Sequence, residues 1–201
     1  MLFGGMHMNS RKQKIARMAL QILKDRGIEG LTFQSLSRAI GLDPAFLSDT
    51  FSGGERELLM DTVEVAGRLW VDTLRADIEK AENTADKLAC LAHGYVTGSE
   101  AHPSILSVYI DLWKLVKDQE DDYVRNRLGE LYQFYISSFG ELLTLAGAGG
   151  LPRREGEALS LLFTVLSDVV HVQSVTLEQP VDFQMLSEVV TRMLTRYFAG
   201  R

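Results

Sequence analysis

The chain has 201 residues, 46% of them apolar and 24% charged, with a formal net charge of -6 and a single cysteine, Cys90. That balance excludes a low-hydropathy disordered chain, and one thiol excludes an internal disulfide framework and fits a reducing compartment. The longest apolar run, Leu159 to Val172, is broken by Ser160, Thr164, Ser167, Asp168 and His171 and falls short of the ~20 residues of a membrane span; no signal-peptide pattern opens the chain, so a cytoplasmic protein with no membrane partner is expected.

Residues 1–9 read as a flexible lead-in. A first helix follows, with Ser10 as its N-cap: Ile15, Met18, Ala19, Ile22 and Leu23 give it one apolar stripe, and Gly27 falls just past its end. Thr32 caps a short second helix with Phe33, Leu36 and Ile40 inward, and Gly41 permits a sharp turn. Asp43 followed by Pro44 starts a third helix, running to about Phe51, because the carboxylate accepts orphan amide protons and proline suits the first helical position. Two short helices across a glycine turn, clamped by an amphipathic one, have helix-turn-helix spacing, which sets the later helix toward a DNA major groove. A helical hairpin without DNA has the same spacing. Charge leans toward DNA: Met1 to Arg56 holds eight Lys/Arg against five Asp/Glu, a net of +3, while the remainder carries -9. Arg11, Lys12, Lys14 and Arg17 are placed to meet phosphates, or else to form a solvated face.

Beyond Glu55 the periodicity stays helical, without an alternating strand of useful length. Six further helices fit. Leu59, Val63, Ala66, Trp70, Thr73 and Leu74 mark a long one from about Arg56 to Ala81, and Leu88, Leu91, Ala92, Tyr95 and Val96 the next. Pro103 opens a third, with Ile105, Tyr109, Leu112, Trp113 and Val116, and Asp121 to Ala146 makes another, closed by Gly147, Gly149 and Gly150. In the last two, Ala158, Leu162, Val165, Val169 and Val172 form one seam and Phe183, Leu186, Val190, Met193 and Tyr197 another. Leu159, Leu161, Leu166 and Val170 widen the apolar arc of the former, suiting either a second chain or a buried central helix of a monomer. The fold class expected is all-α with about nine helices, divided into the lead-in, a helix-turn-helix domain over 10–54 and a helical bundle over 55–201.

Enzyme chemistry finds no footing in the sequence. His7, His93, His102 and His171 are scattered without metal-ligand spacing, Gly147-Ala148-Gly149-Gly150 follows a helix rather than a strand, and Cys90 has only Lys87 and His93 nearby. Neither metal nor cofactor is implied, and no enzymatic activity is expected.

On Ile15 through Gly27, Leu31-Thr32, Leu36-Ser37, Ile40-Gly41-Leu42, Leu47, Phe51 and Glu57-Leu58-Leu59, the chain resembles the TetR-type transcriptional regulators. The resemblance implies a homodimeric, sequence-specific repressor that a small-molecule effector releases from a palindromic operator in double-stranded DNA. It places DNA contacts at Thr32, Gln34 and Ser35, and at Pro44, Ala45, Phe46, Ser48, Asp49 and Thr50 on the third helix, with Arg56 in place of a lysine that relatives carry. Phe46 suits a thymine methyl group or the three-helix core, with the core slightly favoured. Relatives usually carry a tyrosine and histidines where this chain has Ser48, Asp49 and Thr50, and Asp49 suits only a cytosine amino group. The resemblance puts the effector among helices four to seven, where Trp70, His93, Tyr95, Tyr109, Trp113, Tyr132, Tyr135 and Phe139 are candidates to line a pocket. It implies a dimer interface from Leu162, Val165, Val169, Val172, Leu186, Val190, Met193 and Tyr197 of both copies. Gly53-Gly54 is expected to loosen the joint before the fourth helix. The alternative is a TetR-like small-molecule or protein binding module whose DNA contact is weakened or lost.

Overall fold

The computed structural model describes residues 10–98, 103–118, 120–148, 150–176 and 181–199. Among them are nine α-helices and no strand: α1 (Ser10–Gly30), α2 (Phe33–Ile40), α3 (Pro44–Thr50), α4 (Glu55–Lys80), α5 (Thr84–Thr97), α6 (Pro103–Asp118), α7 (Asp122–Leu145), α8 (Arg153–Thr176) and α9 (Phe183–Ala199). They form two compact units, one drawn from the chain up to Arg68 with Ser107–Arg127, the other from Leu69–Leu106 with Leu128–Arg201. No helix among the described residues is long and apolar enough to cross a membrane.

In the first unit, α1 buries Ile15, Ala16, Ala19 and Leu23. At about 100° per residue the inward direction falls between Ala16 and Ala19, which turns Met18 out to solvent, against the expected stripe. Gly27 breaks α1 rather than ending it. Its φ of 67° and ψ of -167° interrupt the helix in a conformation that side chains resist, and a further turn runs to Gly30. Thr32 and Ser35 build a reciprocal capping box at the start of α2: each side-chain oxygen accepts the other residue's backbone N–H at 3.0 Å. Asp43 Oδ1 accepts the Ala45 N–H at 2.8 Å and Pro44 fills the first turn of α3, as the residue order predicts. Leu36, Leu47 and Phe51 are wholly buried, and α2 packs against both α1 and α3.

The joint leading into α4 is hydrogen-bonded on both sides, which corrects the expectation of a loosened hinge at Gly53-Gly54. The Gly54 N–H donates to the Phe51 carbonyl at 2.8 Å, the Gly54 carbonyl accepts from Glu57 and Leu58, and the Gly53 N–H donates to Glu57 Oε2 at 2.9 Å. Further along α4, Asp61 and Glu64 are buried polar residues that share the Arg127 guanidinium, whose Nη2 lies 2.9 Å from Asp61 Oδ1 and 3.0 Å from Glu64 Oε2, and Glu64 Oε1 also accepts from Arg68 Nε at 2.9 Å. Burial still pushes the Asp61 carboxyl above its ordinary value, with Arg127 opposing the shift.

The second unit has its own core. Val71, Leu74 and Ile78 of α4 meet Leu88, Leu91 and Tyr95 of α5, Phe139 and Leu142 of α7, Phe163 of α8 and Val190 and Leu194 of α9. Both α8 and α9 pack on α5, so the leucine-rich face of α5 occupies the middle of this unit.

Candidate functional site

Leu47 and Phe51 anchor α3 inward, and the helical period then turns Ala45, Phe46 and Asp49 to the opposite side, where they are exposed together with Pro44 and Ser48. Phe46 is therefore a correction: it does not enter the three-helix core but is 37% exposed, with the Arg11 guanidinium 5.6 Å from its ring centroid. The space it was expected to fill is taken by Leu47 and Phe51, the latter with its ring 6.3 Å from that of Phe33. Thr50 is half-buried, and its hydroxyl donates to the Phe46 carbonyl at 2.8 Å, which leaves only lone pairs for another partner.

The groups placed for phosphate contact are partly engaged within the chain. Thr32 and Ser35 use their hydroxyls in the capping box, and Ser35 Oγ also donates to the Gly30 carbonyl at 2.7 Å. Gln34 is exposed in the first turn of α2. The Phe33 N–H, one of the leading donors of that helix, donates to Glu55 Oε1 at 2.6 Å, so a carboxylate of the same chain stands where an anion is ordinarily received. Nothing in local pattern marked Glu55, because it reaches Phe33 across 22 residues. The Arg56 side chain is 62% exposed while its Nη1 lies 3.0 Å from Asp121 Oδ2, without hydrogen-bond alignment; Asp121 Oδ1 accepts the Val124 N–H at 3.1 Å and caps α7. Lys12 points inward, paired with Glu57 and 5.5 Å from the Phe51 ring centroid. Burial works to raise the Glu57 carboxyl, but the Lys12 hydrogen bond, the Gly53 amide and the Lys12 charge outweigh it, and the group lies below its ordinary value. Arg11, Lys14 and Arg17 are exposed.

Of the aromatic candidates, the second unit gathers four into one cluster. Trp70 meets Tyr95 edge-on at 4.9 Å and Tyr135 at 5.8 Å, and Tyr95 meets Phe139 at 4.9 Å. Tyr95 is 2% exposed, and its hydroxyl has no hydrogen-bond partner among the described residues. Burial pushes that phenol far above its ordinary value. Tyr132 hydrogen-bonds Asp168, whose carboxyl is pushed up to about 6 by burial, the Tyr132 bond opposing. Asp168 was absent from the sequence candidates, although an acid inside the apolar run Leu159 to Val172 is a visible signal. His93 lies exposed on α5, and Tyr109 and Trp113 are half-buried on α6 in the first unit.

Along α8, Leu162 is 56% exposed, Val165 and Val169 are exposed and Val172 is half-buried, so the seam read from the sequence is the outward face, while Phe163 and Val170 turn in. On α9 the outward apolar row is Met185, Val189, Met193 and Tyr197; Leu186 is half-buried and Val190 is buried within its own chain. Tyr197 donates from its hydroxyl to Glu155 at 2.9 Å.

No protein-family model and no curated protein matches the sequence. Solved structures do match the fold. A protein from Rhodococcus sp. described as a TetR-family transcriptional regulator superposes with a TM-score of 0.70 at 16% identity, over 94% of this chain and 98% of that one. A TetR transcription regulator from Haloarcula marismortui gives 0.66 at 13% identity, over 96% and 98%. The transcriptional regulator FadR from Bacillus subtilis, in complex with stearoyl-CoA, gives 0.62 at 14% identity, over 90% and 96%. At these identities the likeness establishes architecture, and the chain has the fold of the TetR-family transcriptional regulators.

Proposed function

We propose that this chain is a homodimeric, sequence-specific DNA-binding regulator that represses transcription until a small-molecule effector releases it. Residues 10–54 read DNA, residues 55–201 hold the effector and the partner copy, and residues 1–9 lead in. The observation that carries the reading is α3 itself, a capped helix anchored by Leu47 and Phe51 whose opposite face is exposed. Thr32, Gln34, Ser35 and the exposed residues of α3 are the proposed contacts, with Arg56 on a phosphate in exchange for Asp121.

The Trp70, Tyr95, Tyr135 and Phe139 cluster is the proposed effector region, supported by the Tyr95 hydroxyl, which a polar atom of a bound molecule would satisfy. The FadR neighbour is in complex with stearoyl-CoA, which supports a small-molecule effector with an apolar portion for this fold. The exposed rows of α8 and α9 suit a second copy, and a twofold dimer presents two α3 helices to an inverted repeat.

A second reading, a binding module with weakened DNA contact, is favoured by Glu55 at the start of α2 and by the absence of Lys and Arg from α3. Selection of duplexes from random fragments at two salt concentrations separates the two. Recovery of a palindromic consensus whose affinity falls with salt supports the regulator, and recovery of no consensus at either salt supports the module.

A further inference from the structure

The sequence of α3, PAFLSDT, contains no arginine, lysine, asparagine or glutamine, the side chains that read purines through paired hydrogen bonds. Thr50 has committed its proton to the Phe46 carbonyl. The outward face therefore offers bases a serine hydroxyl, a carboxylate and apolar surface, in which Phe46 is the largest side chain beside Pro44 and Ala45. In the major groove one feature of a base edge answers to an apolar side chain, the C5 methyl of thymine. Arg11 covers the Phe46 ring from α1, 5.6 Å from its centroid, which limits the orientations open to an otherwise solvated ring.

Resting on the regulator reading above, we infer that Phe46 is a specificity-determining residue, which selects thymine by packing its exposed ring on the C5 methyl in each half-site. Arg11 acts as the positioning residue for that ring. The phenylalanine thus takes over discrimination that hydrogen-bonding side chains perform on better-equipped recognition helices.

The test uses the full chain and a duplex selected by it from random fragments, with each thymine replaced in turn by uracil, which removes the methyl and nothing else. One position per half-site is expected to lose about fourfold in affinity, the worth of one buried methyl group, and Phe46→Ala is expected to bind parent and uracil duplexes equally. The salt dependence of Phe46→Ala is expected to match the parent protein, because no phosphate contact is removed. Equal binding of every uracil duplex by the unmodified protein, or a uracil effect that persists in Phe46→Ala, overturns the inference while leaving the regulator reading intact. Selection of no duplex at all overturns both.

Discussion

A hydroxyl buried without a partner forfeits the hydrogen bonds it made in water, at a cost of about 1–3 kcal/mol, and Tyr95 carries such a group into its ring cluster. Tyr95→Phe removes the oxygen and keeps the ring, so urea denaturation is expected to show a gain of about 1 kcal/mol in the free protein. Gly54 presents the opposite case. Its φ of 78° lies in the left-handed region, and a Cβ there would meet nothing within 4 Å. Gly54→Ala is therefore expected to cost roughly 1–2 kcal/mol through backbone strain alone, seen as a lower denaturation midpoint with an unchanged slope. At this scale the helix caps were legible: Thr32 and Asp43 act on amides two or three residues away, a distance that sequence order encodes. The exposure of Phe46 was not, because it depends on how much core volume Leu47 and Phe51 already supply.

Between elements, Arg127 of α7 pairs with two buried acids of α4, of which Glu64 also has Arg68. Removing one partner of a buried ion pair strands the other charge, and Asp61 loses its ion pair while Glu64 keeps Arg68, so Arg127→Met is expected to destabilise by roughly 3 kcal/mol in chemical denaturation, more than the sub-kilocalorie worth of an exposed pair. Asp168 on α8 sets a pH dependence. Burial pushes its folded carboxyl up to about 6, above its ordinary value of 3.8, so between those values the folded state holds more protons than the unfolded one. The contribution of Asp168 to stability is full below that window and declines as pH rises through about 6. In Asp168→Asn the melting temperature is expected to fall less across the same window. Helix number and approximate bounds were readable from periodicity and stop signals, and α3 and α4 begin within a residue of their expected starts. Which face of α8 turns inward was not, since a repeat shows which residues share a face and leaves open which face is covered.

For the molecule as a whole, the exposed apolar rows on α8 and α9 lead to the expectation that Leu162→Glu converts a dimer to a monomer, checked by size-exclusion chromatography with light scattering at micromolar concentration. Helix content by circular dichroism is expected to stay unchanged, because Leu162 is exposed within its own chain and adds little to its core. Unaltered dimerisation would remove the α8 face from the proposed interface. The amino-acid order by itself determined an all-helical chain, the glycine turn and the capped third helix, because caps, turns and the helical period operate over a few residues. Only the tertiary structure decided that Phe46 faces solvent, that Glu55 sits on the α2 amide, that Lys12 turns inward to Glu57 and that the α8 seam looks out. Each of those outcomes depends on which distant groups compete for the same volume or the same charge, and that competition exists only once the helices have packed.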